Sequence, residues 1–440
     1  MINLFTLYLQ AIAAIVSRIL SAVNSFLLFA LAATLAAADF RASVVKIDIT
    51  PKTPQWLMGY GPRLSTGVHD PIFHKIVALD DGTTQFFLIA SDLCIFSPSV
   101  YDDATKRLKQ ETGIDARNVW WTVTHTHAGP EVGPPGMYDV LLQGRSDHEF
   151  NRDYAEFAIT SLIQGIKGAR ASLVPARLGI GIGSAQANIN RRARDVDGKI
   201  SLGLNPDGPV DRQIGLVRLD HPDGRPLALI ANYAMHGTVM GGQFMEISGD
   251  GPGTVAAYVE SKLGVPMLYI NGAAGNIAPI YSVYPNPKSG HLSEFNVLLG
   301  DRILEANRSL KAPDGPVRLQ SAEAFIETPR KAGMGWPVGL ERYATKDNLV
   351  RIPVRYLRLN DTVFWGAPVE MFCELAFAVR NASPFRHTFF FGYTNGWLGY
   401  LPTAKAFEEG GYEPRTSPFT PQAEADVTQQ VIAFLHGLGG

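Results

Sequence analysis

Two histidines one residue apart end an apolar run, Val119-Trp120-Trp121-Thr122-Val123-Thr124-His125-Thr126-His127. A second run, Ala231-Asn232-Tyr233-Ala234-Met235-His236-Gly237, delivers another imidazole in the same way. Neutral imidazole nitrogens joined by a carboxylate, with one position left open for water or substrate, are what a catalytic zinc requires. The His-x-His pair alone is a weak signal, because period-two geometry puts both rings on one face of any strand. Position adds weight to it. Each histidine falls where a strand-like run gives way to a loop beginning with Gly or Ala, and α/β proteins carry their chemistry at such strand ends.

The elements that must position these residues alternate along the chain. Apolar runs predict strands at 72–78, 84–90, 118–123, 215–219, 227–234, 266–270, 351–357 and 388–392. Helical spacing appears at 101–111, 153–167, 253–263, 292–310, 370–379 and 426–435. The mixture predicts an α/β fold, with mixed β-sheets flanked by helices and the metal site at strand ends. Glycines 179, 181 and 183 alternate with isoleucine and read as a strand passing close to another backbone, not as a dinucleotide loop. Gly- and Pro-rich loops at 129–136, 205–209 and 284–290 are long enough to shape a substrate cleft. No repeat, low-complexity tract or linker divides the chain after Asp39, so 39–440 is read as one domain.

Bulk composition removes other classes. The 440 residues are 46% hydrophobic and 18% charged, as a globular enzyme requires, and the formal net charge of −2 gives no electrostatic footprint for nucleic acid. Two cysteines, Cys94 and Cys373, both in apolar contexts, rule out a disulfide framework. There is no Gly-x-Ser-x-Gly elbow, His-Glu-x-x-His helix or phosphate-binding Gly-x-x-x-x-Gly-Lys-Ser/Thr loop. Residues 1–38 carry a single charge, Arg18, and close on Ala36-Ala37-Ala38. This stretch is read as a signal peptide, or as an N-terminal anchor that would give membrane association, and it predicts export.

Five ordered motifs carry a resemblance. Thr124-His125-Thr126-His127-Ala128-Gly129-Pro130, Asn188-Ile189-Asn190-Arg191, Met235-His236-Gly237-Thr238, Ser248-Gly249-Asp250 and Gly275-Asn276-Ile277-Ala278-Pro279 follow one another as in the neutral, non-lysosomal ceramidase family. The likeness runs from about Ala42 to about Glu413 and resembles that family's catalytic domain. It implies a zinc ion (Zn2+) held by His125, His236, Glu370 and Tyr400. It also implies roles for His127 and Arg191 in holding substrate oxygen or water, and for Tyr412 in donating a proton to a developing oxyanion. Full-length relatives add a C-terminal β-sandwich, for which this chain is expected to have no room. On residue type alone, Glu370 would be an acidic residue favoured at a helix start, and Tyr400 an ordinary half-buried aromatic.

One position departs from the family. Its Gly-Asp-x-Ser-Pro-Asn hexapeptide supplies a serine nucleophile, whereas this chain has Ala278 there, and the neighbouring Ser248 and Ser282 lack the proline context. Water activated by zinc can replace a serine, with His127 or Asp250 as candidate bases. The expected function is therefore an exported zinc-dependent hydrolase cleaving an N-acyl amide bond of a small-molecule or lipid-like substrate. The alternatives are a zinc esterase or lactonase on the same scaffold, or a catalytically silent metal- or ligand-binding relative.

Overall fold

A computed structural model describes residues 40–281 and 291–439. The expected signal or anchor segment, Ser282 and the 284–290 loop lie outside them. Three sheets of four or five strands share one design. The first runs in space Val119–Val123, Gln85–Ser91, Phe73–Asp80, Arg41–Asp48, Val174–Pro175. The second runs Met267–Asn271, Pro226–Tyr233, Gln213–Asp220, Arg177–Ser184, and the third Leu319–Pro329, Leu349–Leu359, Thr362–Gly366, His387–Phe391. Each is antiparallel except for one parallel pair at its edge. A parallel pair needs a crossover, and helices Pro98–Thr112, Asp250–Leu263 and Cys373–Ala382 supply the three.

The parallel strands are buried along their whole length in Val119–Val123, Met267–Asn271 and Thr362–Gly366. This explains why they read as continuous apolar runs and not as alternating ones. The sheets are stitched together just beyond these strands. Asn271 donates its side-chain amide to Thr124 O (3.3 Å) and Met235 O (2.8 Å), and its carbonyl accepts from Met235 N (3.1 Å). Asn395 exchanges two bonds with the backbone of Trp121, both 2.8 Å. Buried backbone groups at the strand ends thus find partners in the neighbouring sheet. The three parallel pairs consequently discharge their loops into one region.

All eight expected strands and the α/β class are present. The alternating glycines lie on strand Arg177–Ser184, and a Cβ at Gly179 would meet Lys311 O at 2.5 Å, the close backbone approach that the pattern predicts. Two helical expectations need correction. The helix expected from Glu370 begins at Cys373, because Glu370–Met371 instead pairs in parallel with Tyr400–Leu401, Glu370 N donating to Gly399 O and Phe372 N to Leu401 O. The helix expected over 292–310 is a π-helical turn, Asn296–Gly300, followed by α-helix Asp301–Ser309. Among the described residues no helix is long and apolar enough to cross a membrane.

Candidate metal centre

His125 follows strand Val119–Val123 and His236 follows Pro226–Tyr233, so each leaves a parallel strand at its carboxyl end. Their loops touch backbone to backbone. Thr126 and Gly237 form a parallel bridge, His127 N donates to Gly237 O (2.9 Å), and a Cβ on Gly237 would lie 2.5 Å from His125 O. Only glycine fits there. His125 itself sits at φ +64°, a left-handed conformation costing about 1–2 kcal/mol in a non-glycine residue.

Both rings are oriented by carbonyls. His125 Nδ1 donates to Cys94 O and His236 Nδ1 to Ile277 O, each at 2.9 Å, which turns both Nε2 lone pairs inward, that of His236 accepting from Arg191. They converge on Glu370 Oε2, at 3.5 Å from His125 and 3.0 Å from His236, and all three side chains are buried. Tetrahedral zinc with bonds of about 2.0–2.2 Å sets its ligands about 3.3–3.5 Å apart, so the donor atoms and their spacing fit such an ion. Protonation states fit as well. Burial, then the Arg191 cation, pushes His236 down to about 3. Burial alone would raise Glu370, but the adjacent His125 and His236 outweigh it and hold the carboxyl well below its usual range.

The carboxylate is fixed from its far side by Trp397 Nε1 (2.8 Å to Oε1) and Tyr393 Oη (3.3 Å to Oε2), while the Tyr393 ring stacks on His125 at 4.1 Å. Tyr400 enters through the pairing of its strand with Glu370, and its Oη lies 3.5 Å from His236 Nε2. Arg191 donates Nη1 to His236 Nε2 (2.9 Å) and Nη2 to Tyr400 Oη (3.1 Å). His127 is half-buried with Nε2 3.1 Å from His125 Nε2, and its pKa is pushed well down by burial, then by His125 and His236. Tyr412, also half-buried, sets its ring 5.6 Å from that of Tyr400, and burial raises its phenol so that it keeps its proton. The structure therefore brings together seven of the eight residues singled out in the sequence.

Asp250 is the exception. Its carboxylate accepts from the backbone amides of Val239 (2.9 Å), Met240 (3.0 Å) and Gly251, clasping the loop after His236 instead of joining the ligand cluster. Ser248 is likewise engaged, donating to Asp70 and accepting from Asp250 N. Ala278 is buried on strand Ile277–Pro279, directly after the carbonyl that orients His236, and offers only a methyl group. Sequence reasoning missed Cys94, Tyr393, Trp397 and Glu413. The first three touch the cluster through a main-chain carbonyl or from the far side of a ligand, and carry no motif of their own.

Residues 40–278 match the family described as neutral/alkaline non-lysosomal ceramidase, N-terminal. The chain is 24% identical to the neutral ceramidase of Pseudomonas aeruginosa, over 89% of this chain and 71% of that protein. It is 27% identical to the neutral ceramidase of Mycobacterium tuberculosis, over 53% of this chain and only 37% of that protein. The crystal structure of the Pseudomonas aeruginosa neutral ceramidase superposes with a TM-score of 0.74 at 19% identity, covering 91% of this chain and 75% of the other, a likeness of fold.

Proposed function

Since the chain belongs to the neutral/alkaline non-lysosomal ceramidase family, we propose that it is an exported, zinc-dependent amide hydrolase acting on an N-acyl amide of ceramide type. The observation that carries this reading is the convergence of two carbonyl-oriented imidazole lone pairs and one carboxylate oxygen at zinc-ligand spacing. His125, His236 and Glu370 would hold the metal, with Tyr400 as the fourth ligand. A zinc bound there supplies Lewis acidity, polarising a carbonyl and acidifying water.

The chain's own groups then divide the remaining work. Arg191 holds Nη1 against His236 Nε2 and Nη2 against Tyr400 Oη, and with those two atoms given over to a metal its N–H groups would turn to substrate oxygen. His127, half-buried and kept neutral by its depressed pKa, is placed to accept a hydrogen bond from the attacking water and orient it. Tyr412 holds a phenolic proton at the rim, where it is available to a developing oxyanion. Ala278 requires water to be the nucleophile. The lipid-like substrate is supported by the names of the relatives, and export by the composition of residues 1–38.

The test is metal content of the chain from Asp39 onward by mass spectrometry, paired with turnover of a panel of N-acyl amides and esters with and without chelator. About one zinc per chain with chelator-sensitive amide cleavage is expected. Zinc without turnover across the panel would favour the silent relative that Ala278 suggests, and no metal would overturn the centre.

A further inference from the structure

Arg191 and Arg192 are consecutive on strand Asn188–Arg194, so regular pleating would send their side chains to opposite faces. Both instead reach the same carboxylate. Arg191 Nε donates to Glu413 Oε1 at 2.9 Å and Arg192 Nη1 to Glu413 Oε2 at 2.7 Å. The pairing of this strand with Ile200–Asn205 shifts register between Asn190 and Arg192, and such a bulge re-aims a side chain locally. Glu413 is 1% exposed and the two arginines 7% each, so both cations are buried on one carboxylate, and Arg192 also reaches the less buried Glu409 at 3.3 Å.

The arrangement splits the Arg191 guanidinium between two tasks. Its Nε edge is pinned to Glu413, while Nη1 and Nη2 face His236 and Tyr400. Glu413 also follows Tyr412 directly in the short helix Tyr412–Arg415, so one carboxylate fixes Arg191 and the backbone that carries Tyr412. Electrostatics give it a second task. A buried guanidinium beside a dication repels it, and Glu413 supplies the compensating charge.

We propose that Glu413 is a positioning residue that sets Arg191 against the metal ligands and raises the affinity of the centre for zinc. The inference rests on the metal reading above. Removing partners one shell out from a metal costs about 10- to 100-fold in affinity, and Glu413→Gln is expected to fall in that range. Glu413→Asp keeps the charge but is too short to span both arginines, and is expected to lose affinity to a smaller degree. Arg192→Met leaves the Arg191–Glu413 pair intact and is expected to bind zinc as the unaltered protein does, although it breaks an ion pair equally buried.

The measurement is zinc affinity by competition with a fluorescent chelator, with thermal unfolding of each metal-free variant alongside. If Glu413→Gln does not fold, Glu413→Asp against Arg192→Met makes the same comparison. Affinity in the order wild type, equal to Arg192→Met, then Glu413→Asp, then Glu413→Gln supports the proposal. Unchanged affinity in both Glu413 variants, or a loss in Arg192→Met as large as theirs, overturns it and leaves the metal reading standing. A wild-type protein that takes up no zinc overturns both.

Discussion

His74 and His236 are both buried imidazoles that donate one N–H to a backbone carbonyl, Ala158 O at 3.0 Å and Ile277 O at 2.9 Å. Their second nitrogens meet opposite chemistry. His74 Nδ1 accepts from the Ser91 hydroxyl at 2.6 Å, and that hydroxyl accepts in turn from Trp121 Nε1 at 2.8 Å, which closes the circuit. His236 Nε2 faces Glu370 Oε2 at 3.0 Å, close to His125 and His127, so acceptors gather with Arg191 as the cation among them. Burial and neutrality are common to both regions. What marks a ligand is a lone pair aimed at other lone pairs, an arrangement that only positive charge reconciles.

The comparison breaks most sharply under substitution. His236→Ala is expected to abolish zinc content and turnover together, whereas His74→Gln should keep both. A His236→Ala protein with full zinc and full turnover would erase the distinction.

Acid acts on both regions, since His236 is also held down, to about 3, and substitution isolates the part that belongs to His74. Burial pushes His74 down to about 4 from an ordinary 6.5. Below pH 6.5 the unfolded chain takes up a proton that folded His74 refuses, so stability falls as pH drops from 6.5 towards 4, by about 3 kcal/mol at about 1.4 kcal/mol per unit. Denaturant unfolding across that window should show a shallower decline in His74→Gln. A decline identical to that of the wild type would remove His74 as its source.

Metal linkage acts on the other region alone. Free zinc at 100 times its dissociation constant should stabilise the wild type by about 2.7 kcal/mol over chelator-treated protein, with His74→Gln gaining as much and His236→Ala nothing. Equal gains in all three would place the binding elsewhere. The smallest effect is expected at Ala278. Ala278→Ser buries a hydroxyl at a cost of about 1 kcal/mol if it stays unbonded, and turnover should remain at the wild-type level because water attacks. A large gain in amide cleavage would instead identify a centre that kept its ligands after losing its nucleophile.

The strands that end at His125 and His236 were legible because buried parallel strands leave unbroken apolar runs, and the residue after such a run is placed by the strand itself. Glu370 was legible only as a family position. Its setting was misread as a helix start because the pairing that holds it extended comes from Tyr400–Leu401, thirty residues away, and leaves no local period. Strand Leu319–Pro329 escaped for a different reason. Its polar residues Gln320, Ser321, Glu323 and Glu327 interrupt the run, and only three of its eleven positions are buried. Glu413 had no readable signal, since its two partners lie more than two hundred residues earlier and reach it through a local irregularity of their own strand.

The contact of Gly237 with His125 O means that the gap between the two histidine loops is set by main chain against main chain. Frame and lining are then separable parts. A half-exposed rim side chain such as Tyr60, whose ring meets that of His127 edge-on at 4.8 Å, can be exchanged without opening that gap, so the scaffold can change what it accepts while its coordination geometry stays constant. A library randomised at such rim positions should therefore yield many variants that still load metal and differ only in which acyl chains they cleave.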